Sequence, residues 1–303
     1  MAKHAGSVVL PDLHARTAMV TGASDGVGLE IARALAAAGA EVLLPVRDRA
    51  KGERAAARIR QSVPDATLSL LDLDLARLAS VHALVDMLHH EGAPIDHLVL
   101  NAGIVLLGDR ERHRTEDGFE LHFQTNFLGH AALTLGILPL LGAAHGRVVV
   151  QGSLAAGRGA LNWDDLDAAK RYSPLRAYTA SKIALGLFGC ELARRGTARA
   201  DLTVHLCHPG IAPDTAIAPA RRARSQNGLV AGLVRRLGHT PAQAAQPALL
   251  AMATDAVPPA FFGPSRRIAG PAVRQRPPAN LIDRAAGRRL WEWTRVALGD
   301  AAD

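Results

Sequence analysis

The chain has 303 residues, of which 49% are hydrophobic and 21% are charged, and its formal net charge is +7 at pH 7. This is enough for a sizeable core in one large α/β domain or two small ones. No apolar run reaches the ~20 residues of a membrane span, and the N-terminus lacks a signal-peptide pattern. Cys190 and Cys207 cannot form a disulfide framework and indicate a reducing compartment. We therefore expect a cytoplasmic protein without a transmembrane segment.

The positive charge is concentrated in the last third of the chain. Residues 1–215 contain 22 Lys and Arg against 23 acids, whereas residues 216–303 contain 13 Arg, no Lys and 5 acids. Two interpretations stay open: a solvated arginine-rich surface, or attraction of an acidic substrate, carrier or membrane surface. Only 4% of the residues are aromatic and no nucleic-acid-binding motif is visible. Nucleic acid is therefore not an expected partner.

Strand and helix patterns alternate along the chain. Short apolar strands are predicted at residues 17–20, 41–44, 67–71, 95–100, 146–150 and 202–206. Helices are predicted at residues 28–38, 50–61, 78–89, within 118–141, and at 176–195. This alternation predicts an α/β, Rossmann-type doubly wound parallel sheet of about seven strands, with helices on both faces. We assign residues 1–303 to this single domain.

Three segments depart from the simple alternation. Pro45 lies where the second strand would continue, and a proline there removes a donor from the ladder, so we predict that this strand ends at Leu44. Residues 213–240 and 256–280 are rich in Pro, Gly and Arg. They predict a substrate flap over about 211–240 and an irregular C-terminal extension over about 256–303.

A glycine-rich turn joins the first strand to the first helix. It reads Thr-Gly-Ala-Ser-Asp-Gly-Val-Gly over residues 21–28. Glycines let the backbone turn tightly and approach a pyrophosphate, which the N-terminus of the following helix stabilises. The turn predicts dinucleotide binding, with a ligand-free glycine turn as the plainer alternative.

Tyr178 and Lys182 are four residues apart in a predicted helix, so their side chains share one face. A nearby ammonium favours the charged form of a phenol and shifts its pKa by roughly 1–3 pH units. Tyr178 could then exchange protons near neutral pH, as a general acid for carbonyl reduction must. The spacing alone is weak, because such pairs also occur on solvated helices.

Further motifs follow in order: Asp72-Leu73, Asn101-Ala102-Gly103, Asn126-Phe127-Leu128-Gly129, and His208-Pro209-Gly210 with Thr215. Together with the glycine turn and the Tyr178–Lys182 pair, they resemble the short-chain dehydrogenase/reductase family from about residue 13 to 255. Residues 47–53, 162–174 and 289–293 resemble its retinol-dehydrogenase-like branch.

The resemblance implies a nicotinamide dinucleotide cofactor, with adenine near Asp72 and Leu73. The implied cofactor contacts are Gly22, Ser24, Asp25, Gly26, Val27, Gly28, Arg47, Asp72, Leu73, Asn101, Ala102, Gly103, Tyr178, Lys182, Pro209, Gly210, Ile211 and Thr215. Arg47, just after the second strand, can fork onto a ribose 2′-phosphate and favours NADP(H) over NAD(H). Asp48 argues against this preference, and Asp25 stands where some NADP enzymes carry a basic residue.

The resemblance also implies a catalytic set of Asn126, Ser153, Tyr178 and Lys182. Ser153 would hold the carbonyl oxygen and Tyr178 would exchange the proton. Lys182 would lower the pKa of Tyr178 and bond the nicotinamide ribose, and Asn126 would hold a water that links Lys182 to solvent. The reaction would be hydride transfer between the cofactor and a ketone, an aldehyde or the corresponding alcohol.

Other functions fit the sequence less well. The histidines His89, His90, His97, His113 and His122 show no metal-ligand spacing with Cys or Glu, so we expect no metal. A hydrolase is disfavoured because no G-x-S-x-G motif is present. A non-catalytic dinucleotide sensor or scaffold on the same fold stays open as the alternative.

Substrate and assembly are less constrained. Apolar residues and arginines in the flap predict a lipophilic substrate, with or without an acidic group. Trp291 is expected in the core, and Trp163 either in the core or at the substrate. The resemblance leaves a homodimer or a homotetramer open.

Overall fold

The computed structural model describes residues 7–199, 202–211 and 239–299. They form one eight-stranded sheet. The strands are β1 (Thr17–Val20), β2 (Glu41–Val46), β3 (Leu68–Asp72), β4 (His97–Leu100), β5 (Arg147–Gln151), β6 (Thr203–Cys207), β7 (Phe261–Pro264) and β8 (Ala272–Gln275). Their spatial order is β3-β2-β1-β4-β5-β6-β7-β8, and only β8 runs antiparallel to its neighbour. The predicted parallel Rossmann-type sheet is confirmed, with β8 added at one edge.

Helices cover both faces of the sheet. They are α1 (Gly26–Ala37), α2 (Arg49–Ser62), α3 (Leu78–Glu91), α4 (Leu121–Phe123), α5 (Gly129–Gly136), α6 (Leu138–Ala143), α7 (Pro174–Arg199), α8 (Pro241–Ala253) and α9 (Arg284–Ala297). One π-helical turn, Gln124–Leu128, joins α4 to α5. Among the described residues, no helix has the length and apolar character that crossing a bilayer requires.

The central strands are apolar on both sides, as strands buried between two helix layers must be. In β1, Met19 packs into the cluster formed with α3, α5, α7 and α9. Its neighbours Ala18 and Val20 pack into the cluster formed with α1, α2 and α8. The carboxyl ends of β1, β4, β5 and β6 therefore meet along one edge, where open parallel sheets bind their ligands.

The prediction that the second strand ends at Leu44 is wrong, because β2 continues through Pro45 to Val46. The amide of Val42 donates to Thr67 and the carbonyl of Val46 accepts from Leu73, so even-numbered residues bond towards β3. Pro45 therefore faces the side of β1. The last pair with β1 is Met19 with Leu43, so the missing N–H of Pro45 costs no ladder bond.

The C-terminal extension is also more regular than predicted. It contains β7, β8 and the helix α9, which includes residues 289–293. The carboxylate of Asp283 caps α9 by accepting from the amides of Ala285 and Ala286. Trp291 then stacks on Phe188 of α7, with ring centroids 5.4 Å apart. This packing places Trp291 in the core, as expected, and fixes a segment that sequence composition alone described as irregular.

Candidate active site

The glycine turn runs from β1 into α1 and lies directly against the end of β4. Gly22 has φ +68°, and a Cβ there would stand 2.8 Å from the Cα of Ala102. A Cβ on Gly28 would stand 2.4 Å from both the carbonyl oxygen of Gly22 and Nδ2 of Asn101. Larger side chains cannot occupy either position. The turn is thus a cradle of the kind a dinucleotide pyrophosphate requires.

Ser24 and Asp25 complete this turn, and Gly26, Val27 and Gly28 open α1. The carboxylate of Asp25 caps the helix by accepting from the amide of Gly26 at 2.8 Å. Arg58 of α2 approaches the same carboxylate, with Nη1 3.7 Å from Oδ1. The Arg58 guanidinium therefore offsets the negative charge of Asp25, which stands where some NADP enzymes carry a basic residue.

Arg47 and Asp48 follow β2 and have different partners. Asp48 accepts from the amide of Lys51 at 3.0 Å and so caps α2. That hydrogen bond lowers the pKa of Asp48. Arg47 is exposed and makes no hydrogen bond or ion pair within the described part of the chain. Asp48, whose charge argues against a 2′-phosphate, is thus hydrogen-bonded within its own helix. The Arg47 guanidinium has no protein partner among the described residues and is available to bind a phosphate.

The predicted adenine contacts Asp72 and Leu73 are not supported. Asp72 is the last residue of β3, and it pairs with Arg49 at 3.3 Å. The amide of Leu73 donates to the carbonyl of Val46 at 3.0 Å, so it belongs to the ladder. The chain leaves the sheet two residues later, at Asp74 and Leu75. The sequence repeats Asp-Leu at this point, and its alternation could not decide which pair lies beyond the strand.

Asn101, Ala102 and Gly103 follow β4 and are held by Thr21 of the glycine turn. The amides of Asn101 and Ala102 donate to Oγ1 of Thr21 at 2.9 and 3.0 Å. Nδ2 of Asn101 donates to the carbonyl of Thr21 at 2.8 Å. A Cβ on Gly103 would lie 3.2 Å from Oδ1 of Asn126 and 3.4 Å from Nζ of Lys182. Gly103 thus lies against two residues of the expected catalytic set.

Tyr178 and Lys182 of α7 both reach the segment where β5 ends. The Tyr178 hydroxyl donates to Oγ of Ser153 at 3.0 Å. Nζ of Lys182 donates to the carbonyl of Gln151 at 3.1 Å. The structure therefore brings Ser153, Tyr178 and Lys182 together, with the phenol and the ammonium bonded to different partners.

Burial dominates the electrostatics of this group. It lowers the pKa of Lys182 to about 8, because the ammonium is almost fully removed from water. It raises the pKa of Tyr178, which the hydrogen bond with Ser153 partly offsets. The expected lowering by Lys182 does not contribute to the Tyr178 shift in this geometry, so that part of the sequence prediction is corrected.

Asn126 lies in the π-helical turn and is fully buried. Its Oδ1 accepts from the amide of Ile104 at 2.8 Å, and its Nδ2 donates to the carbonyl of Ile104 at 3.1 Å. Nδ2 also donates to Oγ of Ser181, next to Lys182, at 3.0 Å. Both amide hydrogens are therefore engaged with protein, and Asn126 ties the loop after β4 to α7.

Comparisons with known proteins agree with this geometry. The family model described as short chain dehydrogenase matches residues 16–226. The chain belongs to the short-chain dehydrogenase/reductase family. Mouse retinol dehydrogenase 14 is 35% identical over 95% of this chain and 87% of its own length. Mouse polyprenol dehydrogenase is 36% identical over 93% of this chain and 84% of its own length. These relatives confirm the retinol-dehydrogenase-like branch.

Solved structures show the same fold. A crystal structure of an uncharacterized protein from Mycobacterium paratuberculosis shares 32% identity at a TM-score of 0.77, covering 96% of each chain. A Shigella flexneri short chain dehydrogenase, complexed with NADP, shares 26% identity at a TM-score of 0.64 and covers 85% of this chain and 99% of its own. This short-chain dehydrogenase/reductase is therefore an NAD(P)-dependent oxidoreductase that acts on CH–OH donors and their carbonyl products.

The Pro209-Gly210 segment of this short-chain dehydrogenase/reductase lies against the β7–β8 hairpin. Gly210 has φ +75°, and a Cβ there would meet the carbonyl oxygen of Ile268 at 2.4 Å. The amide of Ile211 donates to the same carbonyl at 3.0 Å. The carbonyl of Ile211 accepts from the amide of His239 at 2.8 Å, so positions 211 and 239 are joined directly. Thr215 lies outside the described residues.

Most of the predicted flap also lies outside the described residues. Its apolar positions there are Ala212, Ile217, Leu229, Val230, Leu233 and Val234. Its arginines there are Arg221, Arg222, Arg224, Arg235 and Arg236. Whether this segment covers a substrate, and whether that substrate is acidic, stay predictions.

Sequence reasoning missed Gln151, which is 4% exposed at the end of β5. Its Nε2 donates to Oδ1 of Asn101 at 3.3 Å, and its Oε1 accepts from the thiol of Cys207 at 2.9 Å. Its carbonyl holds Lys182. A polar residue after three valines, two positions before Ser153, is a signal that could have identified it.

The buried pair of Glu120 and His122 was also missed. Nδ1 of His122 lies 2.6 Å from the Glu120 carboxylate, and its Nε2 accepts from the amide of Leu106 at 3.0 Å. The His122 ring meets the Tyr178 ring edge-on, with centroids 6.4 Å apart. His122 was expected to be either a core or a surface histidine; it is buried, and its contact with Tyr178 was not predicted.

Trp163 is half-buried at the margin of the core, with the guanidinium of Arg289 4.4 Å above its ring.

The expectation that His113 has no companion ligands requires a correction. Its Nε2 lies 2.6 Å from the Asp109 carboxylate, and with Glu111 the three ligand atoms lie within 4.8 Å of one another. Asp109 and Glu111 lie within four positions of His113 in the sequence, and the expectation of no metal did not take them into account. Exposed groupings of this kind are common without a metal.

Proposed function

We propose that this enzyme is an NADP(H)-dependent oxidoreductase that interconverts a lipophilic ketone or aldehyde and its alcohol, with Tyr178 as general acid and base. The observation that carries the proposal is the 3.0 Å hydrogen bond between the Tyr178 hydroxyl and Oγ of Ser153, beside the buried Lys182. Two hydroxyl groups that share one hydrogen bond can both reach a single carbonyl oxygen.

The roles of the residues follow from this arrangement. The nicotinamide, when bound, supplies or takes the hydride. Ser153 holds the substrate oxygen, and Tyr178 gives it a proton in reduction or removes one in oxidation. Lys182, held by the carbonyl of Gln151, bonds the nicotinamide ribose, as the family resemblance implies. Asn126 holds the loop at Ile104 and the helix at Ser181 in fixed relation to both.

The cofactor cradle supports the same conclusion. Neighbouring protein atoms leave no space for a Cβ at Gly22 or Gly28, so the turn keeps the bare backbone that a pyrophosphate-binding turn requires. Asp74 and Leu75 follow the end of β3, and the amide of Leu75 donates no hydrogen bond within the described part of the chain. We propose that these two residues, in place of Asp72 and Leu73, contact the adenine.

The preference for NADP(H) rests on Arg47, which is free to fork onto a 2′-phosphate, and on Asp48, which caps α2. Arg47→Gln should raise the KM for NADPH by roughly 10-fold, about the value of one charge-assisted hydrogen bond, and leave the KM for NADH unchanged. Arg49→Gln is the matched control, since Arg49 pairs with Asp72. An equal loss for both cofactors in Arg47→Gln would contradict the assignment.

The lipophilic substrate is supported by the two curated relatives, which are named for long apolar alcohols, retinol and polyprenol. Ile211 adds an exposed apolar side chain next to the Pro209-Gly210 segment. These observations favour an apolar carbonyl compound over a sugar or an acid.

The decisive experiment measures NADPH oxidation by the purified chain over a panel of carbonyl compounds, from small polar ketones to long-chain aldehydes. The reverse reaction is measured with NADP⁺ and the corresponding alcohols. Turnover that increases with chain length is expected. Tight NADPH binding without turnover on any compound would contradict the proposed function and favour the non-catalytic dinucleotide sensor.

A further inference from the structure

His130 of α5 is a fully buried histidine that the proposed chemistry does not use. Its Nδ1 lies 3.0 Å from the main-chain oxygen of Asn126. Its Nε2 lies 2.9 Å from Oγ1 of Thr21. The imidazole therefore stands between the first residue of the glycine turn and the asparagine of the expected catalytic set.

The hydrogen bonds define one arrangement of protons. The Asn126 carbonyl can only accept, so Nδ1 of His130 carries the hydrogen and Nε2 is left as an acceptor. The hydroxyl of Thr21 then donates to Nε2, while its oxygen accepts from the amides of Asn101 and Ala102. The carbonyl of Val99, at 3.2 Å, is the other acceptor within reach of this hydroxyl.

The charge state supports the same arrangement. Burial lowers the pKa of His130 to about 4, and the nearby Lys182 ammonium adds to this effect. The imidazole is therefore neutral at pH 7 and keeps one donor and one acceptor. Both are directed at residues that border the cofactor cradle or the catalytic group.

We infer that His130 is a positioning residue that holds the cofactor turn through Nε2 and Asn126 through Nδ1, so that one nitrogen supports NADPH affinity and the other supports turnover. This inference rests on the proposed function. Thr21 supports the turn on one side of the imidazole, while Asn126 anchors Ile104 and Ser181 on the other. Loss of the bond to Thr21 should affect NADPH affinity more than turnover. Loss of the bond to Asn126 should affect turnover more than NADPH affinity.

His205 of β6 shows what a buried histidine without this role looks like. It is also fully buried with a pKa lowered to about 4. Its Nδ1 accepts from the amide of Ala260 at 3.2 Å, and its Nε2 has no partner among the described residues. The bond with Ala260 does not touch the site, so His205→Leu is the matched control for removal of a buried imidazole.

Two substitutions distinguish the hydrogen bond of Nε2 from that of Nδ1. His130→Asn retains an amide at the position of Nδ1 and loses the bond to Thr21. It should raise the Kd for NADPH by roughly 2–10-fold, the value of one hydrogen bond, with kcat near that of the wild type. His130→Gln retains a polar group near Nε2 and loses the bond to Asn126. It should keep the Kd and lower kcat by about 10–100-fold, as displaced catalytic groups do.

The Kd for NADPH is measured by cofactor fluorescence and needs no turnover. His130→Leu should show both losses, whereas His205→Leu should lower the melting temperature and change neither constant. Should His130→Leu not fold, the Asn and Gln variants alone decide. The inference would be overturned if the Asn and Gln variants showed the same changes of Kd and kcat, each in proportion to the decrease in melting temperature. A wild-type chain without turnover refutes the proposed function, while the difference in Kd between the two variants still decides the role of His130.

Discussion

The carboxyl edge of the sheet carries Ser153, Tyr178 and Lys182, whose polar heads bond near one another in a largely buried group. The amino edge carries Asp96, whose carboxylate accepts from Arg16 at 2.7 Å and from the amide of Thr17 at 2.8 Å. Asp96 thus ties the start of β4 to the start of β1. The amino edge uses charge to hold strands together, whereas the carboxyl edge keeps an ammonium and a phenol away from water at a cost in stability.

Removal of the phenol hydroxyl at the carboxyl edge should have the largest effect. Tyr178→Phe is expected to lower kcat for carbonyl reduction by roughly 10²–10⁴-fold, because the general acid is lost. The Kd for NADPH should stay near the wild-type value. Both are measured on the purified protein, by NADPH oxidation and by cofactor fluorescence.

Tyr172→Phe is the control for this prediction, because Tyr172 precedes α7 and belongs to none of the proposed contacts. Its kcat should stay within a factor of a few. A Tyr178→Phe enzyme with nearly normal turnover would remove Tyr178 from the proton-transfer step.

Lys182→Met should abolish turnover and yet stabilise the fold. The pKa of Lys182 falls from 10.5 to about 8 because burial disfavours the ammonium. A shift of this size corresponds to about 3 kcal/mol in the free energy of unfolding at pH 7. Methionine fills a similar volume without the charge, so urea unfolding at pH 7 should show a more stable variant.

The pH dependence gives this prediction a direction. Between pH 8 and 10.5 the unfolded chain still holds the Lys182 proton that the folded chain has released, so wild-type stability rises with pH. The advantage of Lys182→Met should shrink across this window. Lys51→Met, at an exposed position, controls for loss of a lysine elsewhere. An advantage that is constant from pH 7 to 10.5 would contradict a buried ammonium.

The smallest effect on activity is expected at the amino edge. Asp96→Asn should lower the free energy of unfolding by roughly 1–3 kcal/mol, since it weakens charge-assisted hydrogen bonds to Arg16 and Thr17. The kinetic constants should not change. Urea unfolding and steady-state assays test the two parts.

Glu116→Gln is the matched control for this charge removal, because Glu116 pairs with Arg77 at the surface. Such exposed pairs contribute about 0–1 kcal/mol. An Asp96→Asn enzyme with normal stability but altered kcat would reverse the contrast between the two edges.

The sequence predicted the parallel sheet, the glycine turn and the grouping of Ser153 with Tyr178 and Lys182. These depend on local patterns: apolar strands, glycines at a strand end, and a spacing of four on a helix. It misjudged Pro45, because the consequence of a proline depends on which neighbouring strand its missing N–H faces. It named Asp72 and Leu73 as adenine contacts, a choice that the repeated Asp-Leu pair at the end of the strand leaves undecided.

Residues that act through their neighbours were harder to find. His130 and Gln151 contact the site through partners that are distant in sequence, such as Thr21, 109 positions from His130. Glu120 reaches it through His122, whose ring lies against that of Tyr178. Their importance follows from buried hydrogen bonds, which depend on how strands and helices pack. The composition of the last third similarly gave no indication that Asp283 caps α9 and that Trp291 packs on α7.

The hydrogen bond between Ile211 and His239 has a consequence for how this enzyme can diversify. Because these two positions touch, both ends of the chain between them are fixed by described residues. The entropy of bringing two points of a chain together grows only with the logarithm of the number of residues between them, about 0.6 kcal/mol for each doubling. A change in the number of residues between Ile211 and His239 therefore costs little in closure entropy, and this hydrogen bond tolerates variation in chain length at this point.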